Sequence, residues 1–225
     1  MKVGRTPSTE THLRHLVDDA ELCEVEPEED VARVAAVRRA LGPRAKLMVD
    51  VNCAWSPSVA IEMGRAFEPY KIYWIEEPVA TDDIAGSAMV ADALATPIAG
   101  YETEIGLDGF RELITRGAVD IVQPDLGWSG GFSECRRIGA LAQAHHRMVA
   151  PHAFAGAVLL VASLHFIASI PNGLVLEFDQ NPNGLRDELL KEPVRIDNNG
   201  VIRLPERPGL GVELDPTAVE RYRSE

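Results

Sequence analysis

Six side chains that can accept or release a proton recur along the sequence at a nearly constant interval. They are Asp50, Glu76, Glu102, Asp125, His152 and Glu177, and successive members are 26, 26, 23, 27 and 25 residues apart. Five carboxylates and one imidazole can bind a divalent cation, orient one another or transfer protons. One strand with its following helix occupies a similar stretch of chain, so each group falls at the same point of a repeated unit.

The elements that must position these groups are short apolar runs that alternate with longer segments of helical periodicity. The runs predict strands over residues 46–50, 72–76, 97–100, 120–124, 147–150 and 174–177. The segments predict helices over residues 28–41, 57–67, 83–94, 108–116, 131–145 and 157–170. We expect Ser56 to cap the second of these helices. The alternation is typical of βαβ units in a parallel sheet.

Two regions depart from this alternation. The stretch from Gly4 to Val25 is polar and contains Pro7, which predicts a long loop. The tail from Asn198 onward is rich in proline and glycine, and we expect an irregular closing segment with one short strand over residues 201–204.

Parallel strands that close into a barrel bring their carboxyl ends to one rim, where the active sites of such barrels lie. We therefore predict an α/β fold, a (β/α)8 TIM-type barrel of which about six βα units are present. The length of 225 residues is near the lower limit for this fold. The predicted domains are a partial barrel over residues 1–205, with an inserted loop over 5–25, and a closing segment over 206–225.

The carboxylates predict a metal site. One carboxylate at a strand end is commonly a helix cap or a solvated charge, but five in phase would repel one another without a cation. Asp50, Glu76 and Glu102 suit the octahedral oxygen coordination that Mg²⁺ prefers. Ca²⁺ takes more ligands, and Zn²⁺ usually takes His or Cys.

The last three groups predict proton transfer. Asp125 and His152 follow successive strands, close enough to form a hydrogen bond that fixes the imidazole tautomer and raises its basicity. Glu177 would face the metal across the mouth of the barrel and donate a proton or a hydrogen bond to a substrate oxygen. On spacing alone, Lys2 is an ordinary surface charge.

Composition excludes several classes of partner. The chain has 22 Lys and Arg against 35 Asp and Glu, and a net charge of −13 disfavours nucleic acid and anionic membrane surfaces. The apolar stretch from Met148 to Ile170 contains Pro151 and two histidines, which argues against a membrane span. Three scattered cysteines without a paired motif indicate reduced thiols in a cytoplasmic protein.

An ordered set of motifs covers essentially the whole chain, although each motif alone is modest. The motifs are Lys2-Val-Gly4, Met48-Val-Asp-Val-Asn52, Trp74-Ile-Glu-Glu-Pro78, Ile98-Ala-Gly-Tyr-Glu102, Gln123-Pro-Asp125 with Gly130-Gly131, Pro151-His152 and Pro208-Gly-Leu-Gly-Val212. Together they resemble the enolase superfamily, and within it the mandelate racemase/muconate lactonizing enzyme family. The resemblance also implies that the barrel is N-terminally truncated, without its first strands, and that an α+β capping domain, which largely sets specificity in the family, is absent from this chain.

The resemblance implies a role for each matching residue. The Mg²⁺ ligands would be Asp50, Glu76 and Glu102, and Asn52 would lie beside the metal or the substrate carboxylate. Asp125 and His152 would form the catalytic dyad, with His152 as the acid and base, and Glu177 would stabilise an enediolate. Lys2 matches the second lysine of the family's Lys-x-Lys motif, where it can act as a base on the opposite face. Met1 occupies the middle position of that motif.

Four aromatic residues near these motifs are candidate substrate contacts. They are Trp55, Tyr101, Trp128 and Phe154, and each is as easily explained by packing. Tyr101 stands where the family often has glycine, and a ring there would narrow the site.

The activity expected from the resemblance is Mg²⁺-dependent abstraction of the α-proton of a carboxylate, followed by loss of a β-hydroxyl. The substrate would be a small acid sugar, and the protein would be a homo-oligomer. One alternative is a racemase or epimerase of a 2-hydroxy acid, with Lys2 working opposite His152. Another is an inactive or partial fragment of such an enzyme. A glycosidase with two carboxylates would leave the third acid and the Asp125–His152 pair without a role.

Overall fold

The computed structural model describes residues 2–4, as backbone, and residues 27–223. The described strands form one sheet in the order β1-β2-β3-β4-β5-β6. Their bounds are β1 Lys2–Gly4, β2 Met48–Asp50, β3 Trp74–Glu76, β4 Ile98–Gly100, β5 Ile121–Val122 and β6 Met148–Val149. The first three pairings are parallel. Each strand neighbours the one before it in the chain, which confirms the predicted parallel α/β class.

Helices follow the strands where the periodicity predicts them, to within two residues at each end. The predicted set is α1 Pro27–Leu41, α2 Pro57–Phe67, α3 Ile84–Ala93, α4 Gly106–Thr115, α5 Gly131–Ala144 and α6 Ala157–Ala168. Three short elements were not predicted: a 3₁₀ turn Glu68–Tyr70, α7 Gly184–Asp187 and α8 Pro216–Arg221. No helix in the described part of the chain is both long and apolar enough to cross a membrane.

Side-chain caps start the helices that follow β2 and β3. The Ser56 hydroxyl accepts the Val59 amide at 3.4 Å, as predicted, and the Asp83 carboxylate accepts the Gly86 amide at 2.8 Å. Each cap satisfies an amide that has no partner inside the helix. Both helices therefore begin at a defined residue soon after the strand end.

Two predicted strands are wrong. Residues 172–174 lie beside β6 through one bridge, Val149 to Gly173, whose hydrogen bonds run from Val149 N–H to the Asn172 carbonyl at 2.9 Å and from Leu174 N–H to the Val149 carbonyl at 2.8 Å. Residues 174–177 form no strand. Residues 201–204 form no strand, and Val201 and Leu204 are 53% and 42% exposed. The apolar residues that suggested both strands therefore lie in irregular segments. The predicted loop from Gly4 to Val25 lies, beyond Gly4, outside the described residues.

The chain divides into two compact units. The first comprises Met1–Tyr101 and Arg111–Ile121, and the second comprises Glu102–Phe110 and Val122–Glu225. In the second unit, a buried cluster of Ala157, Val161 and Leu190 packs α6 against the C-terminal segment. The predicted domain division at residue 205 stays a prediction.

Arg38 of α1 fastens the connection between α1 and β2 in the first unit. Its Nη1 donates to the carbonyls of Gly42 and Ala45 at 3.1 and 2.7 Å. Its Nε and Nη2 donate to the carbonyls of Tyr70 and Lys71 at 2.7 and 2.9 Å. One half-buried guanidinium therefore holds two separate turns in place.

Replacing Arg38 by methionine, which keeps the aliphatic stem, should lower the free energy of unfolding by about 2 kcal/mol, because four carbonyls lose a charged donor. Urea denaturation measures this change. Arg33→Met, which removes an exposed arginine from the same helix, is the matched control and should have little effect. Equal destabilisation by the two variants would show that the Arg38 hydrogen bonds do not stabilise the fold.

Candidate active site

Two of the predicted metal ligands lie side by side in the first unit. Asp50 and Glu76 are Cα partners across β2 and β3, and their exposures are 7% and 1%. Asp50 Oδ1 accepts the Asn52 amide at 2.9 Å, and Glu76 Oε2 accepts the Trp74 indole N–H at 3.0 Å. These donors orient both carboxylates.

The chain leaves both strands through left-handed backbone. Asn52, Cys53 and Glu77 have φ values of 51°, 60° and 44°, which non-glycine residues adopt at a cost. The Cys53 amide donates to the Glu77 carbonyl at 2.8 Å, and its thiol lies 3.5 Å from the Glu77 carboxylate. The two turns that follow Asp50 and Glu76 are therefore joined to each other.

Two of the predicted substrate contacts, Tyr101 and Trp55, are buried, and their role stays a prediction. The Tyr101 side chain is fully buried, and its hydroxyl donates to Ser87, which donates in turn to the Ala118 carbonyl, both at 2.8 Å. Burial raises the pKa of the Tyr101 phenol, so it remains a neutral donor. Trp55 is 6% exposed and packs against Phe67. Both rings therefore pack in the core of the first unit.

The second unit contains the predicted Asp125–His152 pair. The two residues form a parallel bridge just beyond β5 and β6, and Asp125 Oδ2 lies 2.7 Å from His152 Nδ1. Asp125 Oδ1 accepts the Gly127 and Trp128 amides at 2.6 and 3.2 Å. The predicted contact is present, and the turn after Asp125 fixes the carboxylate that holds the imidazole. The Asp-x-Gly pattern is a sequence signal for this turn.

The other ring nitrogen of His152 faces two carboxylates. Nε2 is 3.4 Å from Glu102 Oε1 and 3.8 Å from Glu177 Oε2. Glu177 Oε2 also accepts the Ala153 amide at 2.9 Å, which ties Glu177 to the residue after His152. The shared phase placed Glu102 and Glu177 at the same rim as His152, but no sequence signal indicated the contact of Glu177 with the Ala153 amide.

Exposed aromatic rings flank His152. The Trp128 and Phe154 rings lie 6.1 and 6.4 Å from the imidazole and are 53% and 56% exposed. His152 is itself 7% exposed. Of the predicted aromatic contacts, Trp128 and Phe154 therefore keep a surface that a substrate can reach.

Comparison with known proteins identifies the family. Residues 1–218 match the family described as "Enolase C-terminal domain-like". The chain belongs to this family. The predicted resemblance to the enolase superfamily is thereby confirmed.

Relatives in this family differ in the reactions that their names describe. An arabinonate dehydratase from Saccharolobus solfataricus is 40% identical over 196 residues, which are 87% of this chain and 52% of that enzyme. The 3,6-anhydro-D-galactonate cycloisomerase from Zobellia galactanivorans has a TM-score of 0.84 at 35% identity, covering 88% of this chain and 56% of that one. A racemase from Streptomyces coelicolor, solved with bound magnesium, has a TM-score of 0.79 at 32% identity, covering 88% of this chain and 52% of that one. The chain thus spans about half the length of these relatives.

The chain's own metal site stays a prediction. Within residues 28–223, where side chains are described, no three His, Cys, Asp or Glu side chains form a group that could hold a metal ion. The donor chemistry nevertheless fits a member of this family, since Asp50 and Glu76 offer the carboxylate oxygens that Mg²⁺ takes. Lys2 lies in β1 opposite Met48, and its side chain is outside the described residues.

Opposing effects set the protonation of His152. Burial lowers the pKa of the imidazole, but the hydrogen bond to Asp125 raises it. The charges of Glu102 and Glu177 raise it further, and the net pKa of His152 is above its ordinary value. Protonated His152 therefore stabilises the fold fully below its unfolded pKa of about 6.5, and this stabilisation is lost as the pH rises through the folded pKa.

Asp125→Asn should lower the pKa of His152. The asparagine oxygen can still accept the Gly127 amide, but its NH₂ would face Nδ1 and force the ring proton onto Nε2. NMR titration of the imidazole protons measures the shift. Asp197→Asn is the control, because Asp197 makes a similar turn with the Asn199 and Val201 amides far along the chain from His152. An unchanged His152 pKa in Asp125→Asn would contradict this electrostatic account.

Proposed function

We propose that the protein is a Mg²⁺-dependent acid-sugar dehydratase that removes the proton next to a carboxylate and then expels a β-hydroxyl as water. The observation that carries the proposal is the Asp125–His152 hydrogen bond of 2.7 Å, with Nε2 on the other side of the ring beside Glu102 and Glu177. The 40% sequence identity with an arabinonate dehydratase supports an acid sugar as the substrate and the elimination of water as the reaction.

His152 would be the base and later the acid. Asp125 accepts the proton on Nδ1, which leaves the lone pair on Nε2 to take the α-proton. The protonated Nε2 can then give that proton to the departing hydroxyl, so the ring ends the cycle as it began. The fraction of His152 in the neutral form, which is the competent base, increases as the pH rises through its pKa. That pKa lies above the ordinary value for histidine.

The negative charge that appears on the substrate must be neutralised in place, because an α-proton of a carboxylate is very weakly acidic. In its protonated form, Glu177 would donate a hydrogen bond to the enediolate oxygen. The Ala153 amide holds the Glu177 carboxyl group near His152, so both groups can reach one substrate.

Bound Mg²⁺ would supply electrostatic stabilisation of the substrate carboxylate. Asp50 and Glu76 would be its ligands in the first unit, and the assignment of Glu102 rests on the sequence and the family. Asn52, whose amide orients Asp50, would lie beside the metal or the substrate carboxylate. Trp128 would contact the substrate.

A racemase or epimerase is the second candidate, because a solved racemase is among the structural relatives. It needs a second base on the opposite face of the substrate, and Lys2 is the candidate. Lys2→Ala should abolish racemisation from one enantiomer and affect a one-base dehydration less. We also propose, from the family resemblance and the cysteine content, a homo-oligomer that works in the cytoplasm.

Magnesium should stabilise the protein against unfolding through Asp50 and Glu76. At a Mg²⁺ concentration 100 times the Kd, the apparent free energy of unfolding should rise by about 2.7 kcal/mol. Asp50→Asn and Glu76→Gln should lose most of this rise, and Asp92→Asn, which changes an exposed acid on α3, should keep it. Thermal denaturation with and without Mg²⁺ measures the effect, and an equal rise in all four proteins would rule out these ligands.

Dehydration is tested by incubating the protein with Mg²⁺ and a panel of acid sugars and assaying 2-keto-3-deoxy products. His152→Asn should lower kcat by about 10³-fold, because it removes the base. His146→Asn, at an exposed histidine after α5, should retain activity. An α-epimer that accumulates without any keto product would reject dehydration in favour of epimerisation. The absence of both products would point to an inactive chain.

A further inference from the structure

A buried arginine lies in the segment that follows Glu177. Arg186 belongs to the short helix α7 and is 9% exposed. Asn183 caps this helix by accepting the Arg186 amide at 3.3 Å. A guanidinium in such a position carries a large desolvation cost unless its N–H groups are paired.

The Arg186 guanidinium is paired with two carboxylates. Its Nε and Nη2 donate to the two oxygens of Asp187 at 2.8 Å each, a bidentate arrangement. Its Nη1 donates to the Asp179 carbonyl and, at 3.2 Å, to Asp179 Oδ2. Asp179 is itself fixed, since its Oδ1 accepts the amide and side-chain N–H of Asn181 at 2.8 and 2.9 Å.

Apart from the pair with Asp187, the contacts of Arg186 fall on the two residues that directly follow Glu177. Besides Asp179, its guanidinium carbon lies 5.8 Å from the centre of the Phe178 ring. On the other side of Glu177, the last backbone tie to β6 is the Leu174 amide. Glu177 therefore lies in an irregular segment between a strand edge and the arginine.

The same segment is tied to the residues that follow His152. The Asn183 side chain donates to the Ala155 carbonyl at 3.0 Å, and the Ala153 amide donates to Glu177. The cap of α7 and the carboxylate of Glu177 thus hold the same short stretch of chain. A movement of α7 would be transmitted to both.

We infer that Arg186 is a positioning residue. Its contacts with Phe178 and Asp179 keep the Glu177 carboxylate hydrogen-bonded to the Ala153 amide and beside His152 Nε2. The inference deepens the proposed function, because Glu177 is the group that would stabilise the intermediate. Arg186 itself contacts neither Glu177 nor His152 in the described hydrogen bonds and ion pairs. Its effect on catalysis would pass through the backbone of residues 178 and 179.

The test is amide hydrogen exchange at Ala153, followed by NMR in Arg186→Met, Arg186→Lys and Arg221→Met. The quantity compared is the protection of the Ala153 amide divided by that of the Val161 amide in α6, which corrects for global stability. In Arg186→Met the ratio should fall about tenfold, as it should in Glu177→Ala, because the carboxylate acceptor leaves the amide. Arg186→Lys should restore part of it, since the charge remains and the bidentate fork is lost.

Arg221→Met is the matched control, because Arg221 forms an ion pair with Glu188 in the same unit but is 59% exposed. Its ratio should equal that of the wild type. An unchanged ratio in Arg186→Met, alongside a lowered one in Glu177→Ala, would overturn the inference. A wild type that turns over no acid sugar would sink the proposed function, yet the exchange ratios would still decide whether Arg186 holds Glu177. In an active wild type, Arg186→Met should lower kcat with little change in KM.

Discussion

The hydrogen bond between Asp125 and His152 depends on two strand ends being held at one level. The residues pair just beyond β5 and β6, and the carboxylate is fixed by two amides of its own turn before it reaches the imidazole. Because both oxygens of Asp125 are engaged, the imidazole is held by a group that cannot turn away. The same bond offsets the effect of burial on the pKa of His152, so the buried ring stays basic.

Other elements serve the strand ends in the same manner. Amide and indole donors orient Asp50 and Glu76, and strained turns follow both strands in the first unit. In the second unit, Glu177 has no ladder to hold it, and a buried arginine downstream secures its segment. Regular structure thus fixes most of the acidic groups, whereas the position of the last one depends on a salt bridge from Arg186 in α7 to Asp179 in the irregular segment before it.

The sequence predicted the features that recur at a regular interval along the chain. The period of the apolar runs located β2 to β6 and six helices, and the phase of the polar residues located the contact of Asp125 with His152. The strand predictions failed for segments in which burial and a neighbouring strand decide whether a strand forms. The apolar residues Val201 and Leu204 suggested a strand, but both are exposed and form none. The hydrogen bond of the buried Tyr101 hydroxyl to Ser87 had no sequence signal, and the predicted substrate contact of Tyr101 stays a prediction. The Arg186 pairings join residues up to seven positions apart through side chains, for which periodicity gives no signal.

The central claim is that the imidazole of His152, held by Asp125, removes the α-proton of an acid sugar. Exchange of that proton in D₂O, followed by proton NMR with Mg²⁺ present, reports this step separately from any elimination. For a substrate of the protein, the account predicts that the wild type replaces the α-proton or transfers solvent deuterium to product, and that His152→Asn and Asp125→Asn do so at rates lower by about 10²-fold or more. Undiminished exchange in His152→Asn would contradict the account.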